Sequence, residues 1–332
     1  LFVEYDEKII TSEKRLKSII NGKIVKRLIK ESEILRWWKF RDSSLHYSLK
    51  SIKKEKRMPH TIEDSAIPIE NIPKLFVILD KINNRISIKY EDIIVDGNLN
   101  FTSMYDNNIV VPTTDKTMLE KVLNIFINID VKENKEIISN IEVPVEFLNC
   151  TFIGKVIGWE NDDDNGISYK AVFKDNAIFS NCIFKDEVLF KYTEFNGKTD
   201  FSNNNYNKST LFKYAKFNSE VSFAGSIFME EANFKYSTFP QKTTFSGNKF
   251  NNNANFKYTE FDDSVDFSDT NFNEEANFKY TKFPKGVSFE NSVFSASSNF
   301  KYTEFSNPLN LEGTIFNGEA NFKNTTLNGE KF

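Results

Sequence analysis

From Phe190 to Leu327 the large apolar residues step alternately by 5 and 6 positions, so the pattern closes every 22 residues. The unit that starts at Phe256 runs through Phe261, Phe267 and Phe272 and returns at Phe278. Of the 26 positions defined this way, all are Phe except Tyr206, Leu311 and Leu327, so one environment is filled again and again. A helix would place apolar residues about every 3.6 positions and an ordinary strand about every 2. Four stations per unit at a spacing near five suit instead a chain that turns four corners per coil. Fixed-period self-similarity of this kind marks a solenoid, whose units bury their apolar faces only by stacking.

A second regularity lies two residues ahead of each large residue. Ala232, Ala254 and Ala276 precede Phe234, Phe256 and Phe278, and Val221, Val265 and Val287 precede Phe223, Phe267 and Phe289. Ser226, Thr270 and Ser292 hold the matching slot on another side. A small and a large side chain therefore point inward from every side, and the two layers can interdigitate at high density. The positions between them are Asn, Asp, Ser, Lys, Glu, Gly and Pro, as exposed corners require.

The segments Ala254-Asn255-Phe256-Lys257-Tyr258, Ala276-Asn277-Phe278-Lys279-Tyr280 and Ala320-Asn321-Phe322-Lys323-Asn324 resemble the small–polar–Leu/Phe–polar–polar side of the pentapeptide-repeat family. The chain is similar to a Phe-rich variant with an extra residue at every second corner, hence 22 residues per coil. The resemblance covers roughly residues 145–332. An outlying coil near residues 90–104, with Ile93-Ile94-Val95-Asp96-Gly97-Asn98-Leu99-Asn100-Phe101, resembles the entry of archaeal members. The resemblance implies a mainly β fold, a right-handed quadrilateral parallel β-helix. Seven to nine coils about 4.8 Å apart would make a rod on the order of 35–45 Å long.

The rest of the chain divides in three. Residues 1–58 read as a basic α-helical segment: Leu16, Ile19, Ile20, Ile24, Leu28 and Ile29 recur at helical spacing among Lys and Arg, and Trp37-Trp38-Lys39-Phe40 adds aromatics. Residues 59–85 read as a helical cap and linker, with a helix near Ile72-Pro73-Lys74-Leu75 packing on the first coil. Residues 86–332 read as β-helix, interrupted at about 105–143, where a helix is expected at Met118–Ile127, and resuming near Val145.

Charge sharpens that division. The net charge is −4, yet residues 1–58 hold 16 basic and 8 acidic residues, which leaves a mildly acidic remainder. Such a basic segment suits nucleic acid or a membrane surface, or it packs its apolar face on itself or on the rod. Cys150 and Cys182 occupy the small inward slot two residues before Phe152 and Phe184. If about ten residues loop out between Phe152 and Phe173, the two cysteines fall on adjacent coils as buried small hydrophobes. A disulfide there is sterically conceivable but nothing indicates it.

No chemistry-bearing constellation accompanies the repeat. His46 and His60 are the only histidines and lie outside it, no Ser or Cys has a His near it in sequence, and no Gly-rich phosphate loop appears. No catalytic residue, metal or cofactor is therefore expected. The acidic stretch from Trp159 to Gly166 superficially resembles a calcium loop. Counted from Asn161, however, its twelfth position is Val172, where a bidentate Glu is wanted, so it reads as a solvated corner insertion.

The outward residues also repeat. Lys191, Lys213, Lys235, Lys257, Lys279 and Lys301 should form one column, and Tyr192, Tyr214, Tyr236, Tyr258, Tyr280 and Tyr302 the column beside it. Cations among aromatics could grip an extended anionic polymer such as single-stranded nucleic acid. A ladder of identical side chains also stabilises adjacent strands by itself. Glu194, Glu260 and Glu304, on the same side, are expected to soften the repulsion between the lysines.

These features describe a non-catalytic scaffold, a protein-interaction module whose partner is a protein. The family resemblance implies one alternative, a DNA mimic that binds a type II topoisomerase. Residues 190–332, with 17 acidic and 15 basic residues, give that alternative little acid excess. A third alternative is the soluble portion of a membrane-associated protein. There is no signal peptide and no apolar run of about 18 residues, so a cytoplasmic location is expected. The sequence opens on Leu1 rather than Met and stops within a repeat at Phe332, which points to a fragment. Either more chain follows or another subunit covers the last coil, since natural sheets cover open edges; homo-oligomers would then form through the coil ends.

Overall fold

A side of this rod can stay extended for only about two residues before the next corner, so nearly all strand hydrogen bonds must run between coils. The computed structural model describes residues 75–103, 135–162 and 167–332. The basic segment, the linker before Leu75, the helix expected at Met118–Ile127 and the tip of the acidic loop lie outside the described residues.

One coil defines the rest. Thr243–Thr244 forms its first side, Lys249–Phe250 its second, Ala254–Asn255 its third and Glu260–Phe261 its fourth. Each side pairs in parallel with the same side of the coils before and after it, and the first three sides are nine-stranded sheets. The register is the sequence period: Ala232, Ala254 and Ala276 are successive direct partners. The protein is a quadrilateral parallel β-helix of nine coils.

The phenylalanines fill the interior as the spacing requires. Every large residue of the repeat from Phe190 to Phe305 is buried, while Leu311, Phe316, Phe322 and Leu327 of the last coil are half-buried. Rings on one side stack along the axis, with Phe256 5.0 Å from Phe234 and from Phe278 and within 2° of parallel to both. Rings on adjoining sides meet edge to face, as Phe256 does with Phe245 and Phe267 at 5.2 Å. Offset stacking along the axis and T-shaped contact across it are the two arrangements that aromatic quadrupoles favour.

The small inward slot carries chemistry on two of the sides. Thr259 Oγ1 donates to the Phe234 carbonyl at 2.9 Å and Thr281 Oγ1 to the Phe256 carbonyl at 2.7 Å. On the second side Ser226 and Ser292 donate in the same way to Phe201 and Phe267. Each hydroxyl ties one coil to the preceding one. A buried hydroxyl is acceptable there because its hydrogen bond is made.

The first two coils differ from the sequence expectation. Ile88–Glu91, Ile94–Val95 and Leu99–Asn100 form three sides of the first coil, and Lys135–Ile141 forms the fourth. That last strand pairs in parallel with Ile167–Phe173, so the coil resumes at Lys135 rather than near Val145. Its inward pair is Ser139 and Ile141, both buried, and without a Phe it does not register in the spacing. In the second coil, Trp159–Asp162 folds back antiparallel on Ile167–Phe173. The described part of the acidic stretch, Trp159–Asp162, is thus one strand of a β-hairpin. The hairpin takes up the extra residues and puts Thr151 beside Ile183, hence Cys150 and Cys182 on adjacent coils. Both thiols are free and buried.

Helix α1, Leu75–Asn83, precedes the first coil and buries Ile78, Leu79 and Ile82. It ends in a Schellman motif, with Ile86 N–H donating to Lys81 O and Arg85 N–H to Ile82 O around a left-handed Arg85.

Candidate functional site

Phe-Lys-Tyr lies at the corner between the third and fourth sides. In Phe256-Lys257-Tyr258-Thr259 the Thr259 N–H donates to Phe256 O at 3.1 Å, closing a four-residue turn. Asn255 Oδ1 accepts the Lys257 N–H at 3.2 Å, an Asx turn that explains the Asn ahead of the motif. Tyr258 holds the third position of the turn at φ 59°, where a type II turn wants Gly or Asn.

The same conformation recurs at all six tyrosines, with φ between 57° and 62°. A bulky residue there is an outlier, costing about 1–3 kcal/mol. The corner between the first and second sides makes an equivalent turn with Asn203, Gly225, Gly247, Asp269, Asn291 and Gly313. The seventh Phe-Lys corner carries Asn324 at φ 60°. The chain therefore places backbone-compatible residues at other corners and a tyrosine at this one six times. The ring, not the turn, accounts for the choice.

Consecutive tyrosine rings stand 4.6–4.9 Å apart and within 9° of parallel from Tyr192 to Tyr302. The ammonium groups of Lys213, Lys235, Lys257 and Lys279 each lie 4.9–5.0 Å from the ring centroid of the following Tyr. At the N-terminal end Trp159, from the hairpin, lies 5.5 Å from Tyr192, and Lys191 sits 4.0 Å from the Trp159 ring. At the other end Tyr302 is 41% exposed. The two columns thus form side by side as the period predicts. Their ring faces, however, are covered by one another, so bases cannot stack between them. What the corner offers outward is ring edges and ammonium groups. Trp159 was not foreseeable as the end of the ladder, since the hairpin that delivers it lies outside the repeat.

A family model described as pentapeptide repeats (9 copies) matches residues 190–238, 234–282 and 278–326. Residues 190–326 are pentapeptide repeats. Each matched window opens on the Phe of a Phe-Lys-Tyr corner, two coils after the previous one. No curated protein and no solved structure matches this pentapeptide-repeat protein.

Among the described residues of the pentapeptide rod, some lysines are paired between coils and others, Lys198, Lys242 and Lys249 among them, are not. Seven ion pairs join neighbouring coils, among them Lys155–Glu187 at 2.6 Å, Lys208–Glu230 at 2.8 Å and Lys285–Asp263 at 3.2 Å. Glu194 pairs with Lys170 and Lys216, and Glu304 with Lys282, so these carboxylates serve the outward row of the fourth side. They do not reach the Lys191–Lys301 column as expected, because that column sits around the corner with its ammonium groups over the rings. Among the described residues no ion pair involves a lysine of the column.

Hydrogen bonding to Glu187 raises the pKa of Lys155. Desolvation, and then the neighbouring lysines, lower those of Lys191 and Lys257. Two ammonium groups one strand spacing apart, about 4.8 Å, repel by roughly 0.9 kcal/mol in water before screening by salt. An open trough of about 680 Å³ runs along the first side, lined by Asp200, Ser222, Thr244, Asp266 and Ser288. Each of these residues accepts the backbone N–H two positions on, which ties its side chain to its own corner. The buried Cys182 thiol donates to the Phe147 and Ser180 carbonyls at 3.4 Å, and the neighbouring Cys150 thiol and burial push it well above the usual thiol range, which suits packing rather than reactivity.

Proposed function

We propose that this pentapeptide-repeat protein is a non-catalytic β-helical scaffold that presents one long corner of its rod, the Lys/Tyr ladder, to a protein partner. The observation that carries this is the backbone cost of the ladder: six tyrosines in a left-handed position that Asn or Gly fills at equivalent corners. A surface kept for recognition accounts for residues that the fold itself does not call for. The DNA-mimic alternative gains no support from the charges, since Glu187, Glu194, Glu230, Asp263 and Glu304 are tied to lysines of neighbouring coils. Among the described residues no helix is long and apolar enough to cross a membrane.

A photo-reactive phenylalanine analogue tests the proposal. Placed at Tyr258 in the full chain, it should give one discrete protein adduct in native extract, competed away by unlabelled chain. The same group at Asn271, exposed on the second side, should give none. Equal labelling from both positions, or from neither, would remove the ladder from the recognition surface.

A further inference from the structure

Wherever else lysines of this rod meet a neighbouring coil in an ion pair, their partner is a carboxylate of that coil, at 2.6–3.6 Å. Scattered lysines such as Lys198, Lys242 and Lys249 make no such pair, and the Phe-Lys-Tyr column is the one continuous row that makes none among the described residues. Its lysines repeat in six successive coils without an ion-paired carboxylate among the described residues, they are half-buried against the tyrosine rings, and their charge faces their own kind along the column. Such a column is a row of point charges, fixed in a straight line by the β-helix and short of counter-charge.

We propose that the lysine column is a docking strip for an extended, carboxylate-rich segment of a protein partner, a run of Asp or Glu lying along the corner. This rests on the scaffold proposal above and names the chemistry its partner must bring. Charge complementarity carries it: an acidic run supplies the counter-charge that the rod provides to its other coil-to-coil lysines. The closed ring faces weigh against single-stranded nucleic acid, which draws much of its affinity from bases stacked on aromatic side chains. The ammonium groups donate to carboxylates at many angles. An irregular acidic strand can therefore adapt to the fixed spacing. The lowered pKa values of Lys191 and Lys257 agree with a site that has room for an added anion.

The test is titration of the full chain with poly-L-glutamate, followed by calorimetry at several salt concentrations. Binding that weakens with salt is expected. The variant K213Q/K235Q/K257Q/K279Q should bind about tenfold more weakly or less, while K14Q/R15Q/K17Q/K23Q, which removes equal charge from the basic segment, should change little. The quadruple Lys→Arg variant of the column keeps charge and stem, and should bind like the native chain even if the Gln variant is poorly folded. Equal losses from the two Gln variants would mean bulk charge and overturn the inference, as would unchanged binding by the column variant. Tighter, column-dependent binding of a thymidine oligonucleotide of matched charge would replace the acidic protein by nucleic acid. If poly-L-glutamate binding ignores the column while the Tyr258 photo-adduct persists, the acidic partner falls and the scaffold stands; loss of the adduct as well removes both.

Discussion

Replacing Phe256 by Ala is expected to lower the unfolding free energy by about 3–5 kcal/mol, measured by urea denaturation with far-UV circular dichroism. Phe256 is fully buried and touches five rings: Phe234 and Phe278 along its own column, Phe245 and Phe267 edge to face, and Phe250 at 6.0 Å. In a solenoid the stability is roughly a sum of coil and nearest-neighbour terms. One truncation in mid-stack therefore weakens two interfaces at once, and the facing rings, held by their own stacks, cannot collapse into the void. Phe316→Ala is the internal control. Its ring is half-buried in the last coil, so its loss should be clearly smaller. Equal losses at the two positions would contradict the packing described for the core.

Gly197→Ala should be destabilising although it lies on the surface, by about 1–3 kcal/mol in the same assay. A Cβ at Gly197 would fall on the Asp175 carbonyl carbon and within 2.6 Å of the Asn176 nitrogen. Those are backbone atoms of the preceding coil. They cannot swing aside as a side-chain end would, and Asn176 Oδ1 is also engaged with the Lys198 N–H at 3.0 Å. Relief requires prying two coils apart at a corner where they are hydrogen-bonded. A neutral Gly197→Ala would show that the corner adjusts at little cost.

Much of this fold was legible because one physical requirement repeats. A Phe must face inward from each of four sides, so its spacing alone marks every corner from Phe190 onward. The coil at Lys135–Ile141 was illegible for the complementary reason: its inward pair is Ser139 and Ile141, and the ten-residue hairpin in the next coil shifts the period. The small slot was read as a matter of volume. Its hydroxyls on two sides answer a different need, a donor for the corner carbonyl of the preceding coil, as Thr259 supplies to Phe234.

The surface was legible in part. The two columns followed from the period, but their meaning depended on backbone angles and ring contacts that spacing does not encode. Tyr258 at φ 59° turns a plain repeat into one held against the turn's own preference. Rings less than 5 Å apart turn an apparent stacking platform into a closed one. Glu194 lies near the column in sequence, yet pairs with Lys170 and Lys216, because a corner separates neighbours in sequence onto different sides.

The central claim is that the tyrosine ladder is kept for recognition and that the rod does not depend on it. The most direct measurement is urea denaturation of the chain with Tyr192, Tyr214, Tyr236, Tyr258, Tyr280 and Tyr302 all replaced by Asn, the residue already present at position 324. Stacked pairs worth about 0.5–1.5 kcal/mol each are lost, and left-handed strain of about 1–3 kcal/mol per tyrosine is relieved. Five stacks and six strained positions weigh against each other, so an unfolding free energy no more than about 2 kcal/mol below the parent's is expected. A fall of more than about 5 kcal/mol would contradict the claim and make the tyrosines part of what holds the coils together.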